Sequence, residues 1–210
     1  MKYVLCILIG YLIGAINPSY IIAKLRGFDI REKGSKNAGA SNALILFGKV
    51  LGVGCALFDI AKAVFAIWLC GKLFPRLGYS FAVTGVSCII GHIFPVYMKF
   101  KGGKGLACLG GMILAFDWRV FLIMLAAEII VAIATDYICF VPLTASAILP
   151  IIYGMMRDDL WSALILAAVF PLMVYKHKEN LKRIKQRTEM PFSYLWNKEK
   201  ALEKTNIPKE

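Results

Sequence analysis

Seven apolar runs separated by short polar segments organise the chain, at residues 3–23, 50–69, 79–98, 106–116, 120–134, 138–153 and 160–175. A helix needs about 20 apolar residues to cross a hydrocarbon core of about 30 Å, and most of these runs approach that length. The pattern predicts an all-α polytopic integral membrane protein with about seven transmembrane helices. Runs four and five are short, so a six-span alternative fits as well, with those two forming a re-entrant or tilted pair around Asp117-Trp118-Arg119. The first run follows a single Lys2 and precedes further runs, which reads as an uncleaved first span rather than a signal peptide. No inverted repeat of the transporter kind is visible. The expected organisation is one domain over residues 1–189 and a solvated cytoplasmic tail, residues 190–210, of no particular function.

Composition sharpens this picture. With 59% apolar residues, 18% charged and a mean hydropathy of +0.67, the chain cannot be a water-soluble monomer. The excess of 25 Lys+Arg over 13 Asp+Glu could suggest nucleic acid, but no basic stripe is interleaved with aromatics and no binding motif occurs. Topology accounts for it better. With seven spans, residues 24–49, 99–104 and everything from 176 share one side, which holds 19 of the cations against five on the other, with Lys62 inside a run. The positive-inside rule then puts the N-terminus outside and the C-terminus in the cytoplasm. The six cysteines lie mostly in apolar segments with no CxxC, and read as small buried hydrophobes rather than metal ligands or disulfides.

Three polar clusters fall on the expected cytoplasmic side. The first, GSKNAGASN at residues 34–42, offers Ser35, Asn37, Gly39, Ser41 and Asn42 with no carboxylate. Glycines there can turn backbone N–H groups around an anion, although a flexible interhelical loop has the same composition. In the second, Gly102, Gly103, Lys104 and Gly105 open the next helix, which combines free N–H groups, the positive end of a helix dipole and a cation in a phosphate cradle. It lacks the spacing of a nucleotide P-loop. His92, just upstream, reads as structural packing near Pro95. In the third, residues 176–189, helical spacing puts His177 and Asn180 near one face; a basic helix on anionic lipid explains the lysines but not these two. Asp59 and Lys62, three apart in the second run, are either a structural pair or the floor of a site. Glu128 has no evident partner and stays unassigned.

The clusters GSKNAGASN, GHIFPVYMKFKGGKG and HKENLKRIKQRTE, in this order, resemble the bacterial acyl-phosphate-dependent glycerol-3-phosphate acyltransferase family, PlsY. The resemblance implies a seven-helix inner-membrane enzyme, its site facing the cytoplasm, that moves a fatty acyl group from acyl phosphate to the sn-1 hydroxyl of glycerol 3-phosphate. Lysophosphatidic acid and phosphate are the implied products, membrane lipids the surroundings. No metal, cofactor, nucleic acid, acyl carrier protein or coenzyme A donor is implied. The H-x4-D dyad of carrier-dependent acyltransferases is absent, since Tyr97 and Lys182 stand where the Asp would follow His92 and His177. Matched residues imply catalytic roles for Ser35, Lys104, His177 and Asn180, and substrate binding by Asn37, Gly39, Ser41, Asn42, Gly102, Gly103, Gly105, Asp59, Lys62 and Arg183; Glu189 matches the third motif as well. The general base stays open between His177 and a substrate phosphate oxygen. The chain departs from the family pattern at Ile45, where an Arg is usual, at Cys139 and Pro142 in a stretch that tends to carry serines, and at Arg187, where Gly is usual. Ile45 implies weak acceptor binding unless another cation, with Lys36 the candidate, takes the role. A homologue that binds anionic lipid or phosphometabolites without turnover is the alternative these departures leave.

Overall fold

Every apolar run becomes helix in the computed structural model, which describes residues 1–195 with Asn197, Thr205 and Asn206. The helices are α1 (Lys2–Ala15), α2 (Pro18–Leu25), α3 (Ala40–Phe47), α4 (Lys49–Leu73), α5 (Ser80–Ile93), α6 (Leu106–Phe116), α7 (Trp118–Thr135), α8 (Phe140–Arg157), α9 (Leu160–Ala167) and α10 (Val169–Lys185). Among the described residues five candidate spans are long and apolar enough to cross a membrane, and the bent pair α1–α2 makes a sixth if counted as one. The expected count of seven is not reached by length, because α6 has 11 residues and extends about 16 Å. Its sequence nevertheless suits an interior position, with Cys108, Leu109 and Met112 fully buried.

Small residues let the central helices approach closely. Gly10 and Gly14, one turn apart on α1, face the carbonyls of Thr84 and Cys88 on α5, and a Cβ at either would collide with them. This is the small-xxx-small contact by which membrane helices gain dispersion energy without a hydrophobic driving force.

The first run, expected to be continuous, bends by 41° between α1 and α2. The cause is Asn17-Pro18. Asn17 caps α2 by accepting from Tyr20 N, and Pro18 has no N–H to give to the preceding turn. Backbone groups around the break find side-chain partners: Ala15 O accepts from Tyr97 OH (2.8 Å), Ile16 O accepts from Lys62 Nζ (2.5 Å), and Asn17 Nδ2 donates to Ala38 O (2.8 Å). Broken helices persist at membrane depth when such partners replace the lost ladder.

The segments expected on one side of the membrane do gather at one end of the bundle. Arg31 Nη1 donates to Met98 O (2.6 Å), Lys104 meets α10, and Ser193 meets the turn after α7. At the opposite end Tyr3 stacks on Tyr79, and Phe81, Phe116 and Tyr153 pack together. The expected solvated tail begins otherwise, since Pro191 is buried and Phe192 and Ser193 bind Asp136. Trp196 and residues 198–204 and 207–210 of that tail lie outside the described residues.

Candidate active site

The 34–42 loop is built around one buried amide. Asn42, on the first turn of α3, has Nδ2 donating to Ile30 O (2.9 Å) and Lys33 O (3.0 Å), while Oδ1 accepts from Ser35 N (2.8 Å). Asn42 therefore shapes the loop, and its polar atoms face the chain rather than open space. Gly34 takes a positive φ with Asn42 Oδ1 where a Cβ would stand, so glycine is required there. Ser35, Lys36 and Ser41 are exposed, Asn37 is half-buried, and Gly39 is buried beside the Asn37 amide.

Loop 99–105 is pinned to the end of α5. Gly102 N donates to Ile93 O (3.0 Å) and Gly103 N to His92 O (3.1 Å), filling carbonyls that a helix C-terminus leaves unpaired. The two amides expected to be free for phosphate are thus taken by α5. The amides of Leu106, Ala107 and Cys108 at the start of α6 are the ones helix geometry leaves without an intrahelical acceptor. A Cβ on Gly103 would strike His92 Nε2 and crowd Ala38 O, which fixes this turn between α5 and the 34–42 loop. Gly105 has φ +89° and packs on Met173, one helical turn before His177.

Beneath Gly103 lies a buried polar column. Lys62 Nζ is 2.6 Å from Asp59 Oδ1 and 3.0 Å from His92 Nδ1, besides its bond to Ile16 O. Asp59, His92 and Cys108 could in principle ligate a metal, but the Lys62 ammonium already supplies the cation between Asp59 and His92. Asp59 and Lys62, expected to bind substrate, have their polar contacts with protein groups, and His92 proves to be more than packing.

On the α10 side, Lys104 Nζ donates to Asn180 Oδ1 (2.6 Å), Asn180 Nδ2 donates to Glu189 Oε1 (2.5 Å), and Arg183 Nε donates to Glu189 Oε2 (2.5 Å). Burial pushes the Lys104 ammonium below the usual lysine range, opposed by the Glu189 carboxylate. His177 is buried, and its Nδ1 donates to Met173 O (2.9 Å), which leaves Nε2 as the acceptor of the neutral ring. Arg183, expected to bind substrate, holds Glu189. The hub position of Glu189 was not legible, because it depends on the chain doubling back after α10.

Between the 26–39 loop, loop 99–105 and α10 opens a cleft of about 510 Å³ whose lining includes Arg31, Lys36, Asn37, Lys99, Lys101 and Lys176. Of its acids, Asp29 is paired with Arg31 (2.6 Å) and Lys24 (3.5 Å), and the Arg31 hydrogen bonds hold its carboxyl well below the usual range. The cleft therefore sets five cations against the paired Asp29 and the exposed Glu32, a net positive surface. Lys36 lines it, and Ile45, exposed on α3, does not. Cys139 and Pro142 lie buried on the first turn of α8, where proline is tolerated. Glu128 of α7 accepts from Thr144 Oγ1 of α8 (2.6 Å), a partner 16 residues away.

Comparison with known proteins gives one answer. Residues 4–187 match the family model described as glycerol-3-phosphate acyltransferase. Glycerol-3-phosphate acyltransferase 1 of Oceanobacillus iheyensis is 40% identical over 205 residues, covering 94% of this chain and 99% of that protein. The Coxiella burnetii glycerol-3-phosphate acyltransferase is 35% identical over 192 residues, covering 90% and 97%. The crystal structure of PlsY, an integral membrane glycerol 3-phosphate acyltransferase, superposes in its glycerol 3-phosphate form with a TM-score of 0.83 at 28% identity, covering 93% of this chain and 98% of that one. Its lysophosphatidic acid form superposes with a TM-score of 0.81 at 27% identity, covering 93% and 97%.

Proposed function

The chain belongs to the glycerol-3-phosphate acyltransferase family, and we propose that it transfers a fatty acyl group from acyl phosphate to the sn-1 hydroxyl of glycerol 3-phosphate at the cytoplasmic face of a bacterial inner membrane. The observation that carries this reading is the half-buried Lys104, bonded to Asn180 and two residues after Gly102, which with Lys101 lines a cleft carrying five cations. Both substrates carry phosphate, and such a surface suits two phosphate groups brought together. That the related PlsY has been crystallised with glycerol 3-phosphate and with lysophosphatidic acid supports the acceptor and the product.

Acyl phosphate is a mixed anhydride with a good leaving group, so orientation and charge stabilisation suffice. The acceptor hydroxyl oxygen bonds to the carbonyl carbon, the bond between that carbon and the bridging oxygen of the phosphate breaks, and inorganic phosphate departs with the bridging oxygen. Lys104 and the first amides of α6 stabilise the charge. Ser35, Asn37, Gly39 and Ser41 face the anion from the other loop, and Gly102, Gly103 and Gly105 set the turn. Asn42, Asp59, Lys62 and Arg183 position these groups. The hydroxyl proton passes to His177 Nε2, or to a substrate phosphate oxygen while His177 and Asn180 orient the reacting groups. Lys36 takes the phosphate role left by Ile45.

The positive-inside asymmetry supports a seven-span topology with an outside N-terminus, in which α6 crosses short and shielded by its neighbours. Residues 1–189 form one domain, and Asn206 returns to it by donating to Arg187 O (2.7 Å) and Gln186 O (3.1 Å) at the end of α10. Purified protein given acyl phosphate and glycerol 3-phosphate should release lysophosphatidic acid and phosphate in equal amounts. Comparable product formation from acyl coenzyme A would overturn the donor assignment, and binding of both substrates without turnover would favour the non-catalytic reading.

A further inference from the structure

Glu189 reaches Asn180 only because the chain reverses after α10 and is fastened again further on. The reversal is a Schellman turn: Thr188 N donates to Arg183 O (2.8 Å) and Arg187 N to Ile184 O (3.0 Å), with Arg187 at φ +57°. The second fastening lies at the turn between α7 and α8. Asp136 O accepts from Phe192 N (2.6 Å), and its carboxylate accepts from Ser193 N (2.7 Å) and Ser193 Oγ (2.9 Å). Asp136 and Ser193 stand 57 residues apart in the chain.

Three residues, Glu189, Met190 and Pro191, separate the end of the turn from Phe192. Pro191 is buried and has a fixed φ, so a strap held at both ends has little freedom to move its acid. Asn180 and Arg183 receive that acid on α10, and Lys104 stands behind Asn180. We propose that Asp136 and Ser193 form a latch that positions Glu189 against Asn180 and thereby sets the place and charge of Lys104. They are positioning residues, and residues 188–193 are a working part of the site. The proposal rests on the acyltransferase reading for its catalytic consequence, while the latch itself is a matter of structure.

Among the charged and titratable groups around Lys104, Glu189 favours its ammonium, Arg183 and Lys176 oppose it together with burial, and the uncharged Cys139 thiol and the His177 ring complete the set. If the strap swings away, Lys104 loses its countercharge and gives up its proton at lower pH. Misplacement of a group that orients the reaction can cost about 100-fold.

The test uses the full-length protein with acyl phosphate and glycerol 3-phosphate. Asp136→Ala should lower kcat by about 10 to 100-fold and move the alkaline limb of kcat/KM to lower pH, with a smaller change in KM. Ser193→Ala, which keeps the backbone bond and spares the fold, should do the same to a lesser degree, and Ser193→Thr should restore activity. Hydrogen exchange over residues 188–193 should rise in both alanine variants, and this reads the latch even if wild-type protein does not turn over. Wild-type protein inactive on acyl phosphate, with strap protection lost in the variants, would fail the acyltransferase reading and keep the latch. Folded Ser193→Ala and Asp136→Ala proteins with unchanged alkaline limb, kcat and strap protection would overturn it.

Discussion

At Ile45 the family resemblance implies a cation, and Lys36 lines the basic cleft instead. A charge-assisted phosphate contact contributes about 1.5 to 3 kcal/mol, so Lys36→Ala should raise the KM for glycerol 3-phosphate by roughly 10 to 100-fold with kcat little changed. Steady-state kinetics with varied acceptor checks this, and an unchanged KM would return the role to another cation. Arg187, where the resemblance implies a glycine, stands just after a helix end with φ at +57°. A residue with a Cβ is strained there by roughly 1 kcal/mol, so Arg187→Gly should stabilise the protein by up to about that amount in thermal unfolding. A loss of stability would show that the Arg187 side chain contributes contacts outweighing the strain.

At the scale of elements, the sequence reading worked where a signal was local and failed where it depended on the fold. All seven apolar runs are helical because a long hydrophobic stretch in lipid has no other way to satisfy its backbone. The α1–α2 bend rests on Asn17-Pro18, a helix-start signature that the surrounding apolar residues conceal in the hydropathy pattern. Helix α3 was hidden within a supposed loop, being only eight residues between Gly39 and Gly48. The polar column could not be read in full, because Lys62 meets Ile16 O across 46 residues and His92 across 30. Breaking a buried ion pair by removing one partner costs about 3 to 5 kcal/mol. Lys62→Met should therefore lower stability by about that much, since it also strands Ile16 O. The double variant Asp59→Leu with Lys62→Met should lose less than the sum of the singles. A near-neutral Lys62→Met in detergent unfolding would contradict the column as a support for the bend. Of the residues proposed for the site, Lys104, His177 and Asn180 are legible as polar groups in an apolar chain, whereas Glu189 and Asn42 act through contacts that form only on folding.

For the whole molecule, orientation decides which side supplies substrate. All six native cysteines are buried, so engineered exposed cysteines can be labelled over a low background. In intact cells Lys33→Cys should resist a membrane-impermeant thiol reagent and Lys72→Cys should react, since these exposed positions belong to opposite ends. Ready labelling at Lys33→Cys would invert the molecule and bring its anion cleft to the outer surface. Charge stabilisation by the half-buried Lys104 is what carries the proposed reaction. The measurement that addresses it most directly is kcat/KM of Lys104→Ala beside Lys101→Ala, with acyl phosphate and glycerol 3-phosphate. Loss of a single preorganised donor costs about 2.7 to 4 kcal/mol, so Lys104→Ala should fall by about 100 to 1,000-fold and Lys101→Ala, exposed at the cleft rim, by less than about 10-fold. Small and equal losses in the two variants would contradict the account and leave both lysines as headgroup contacts.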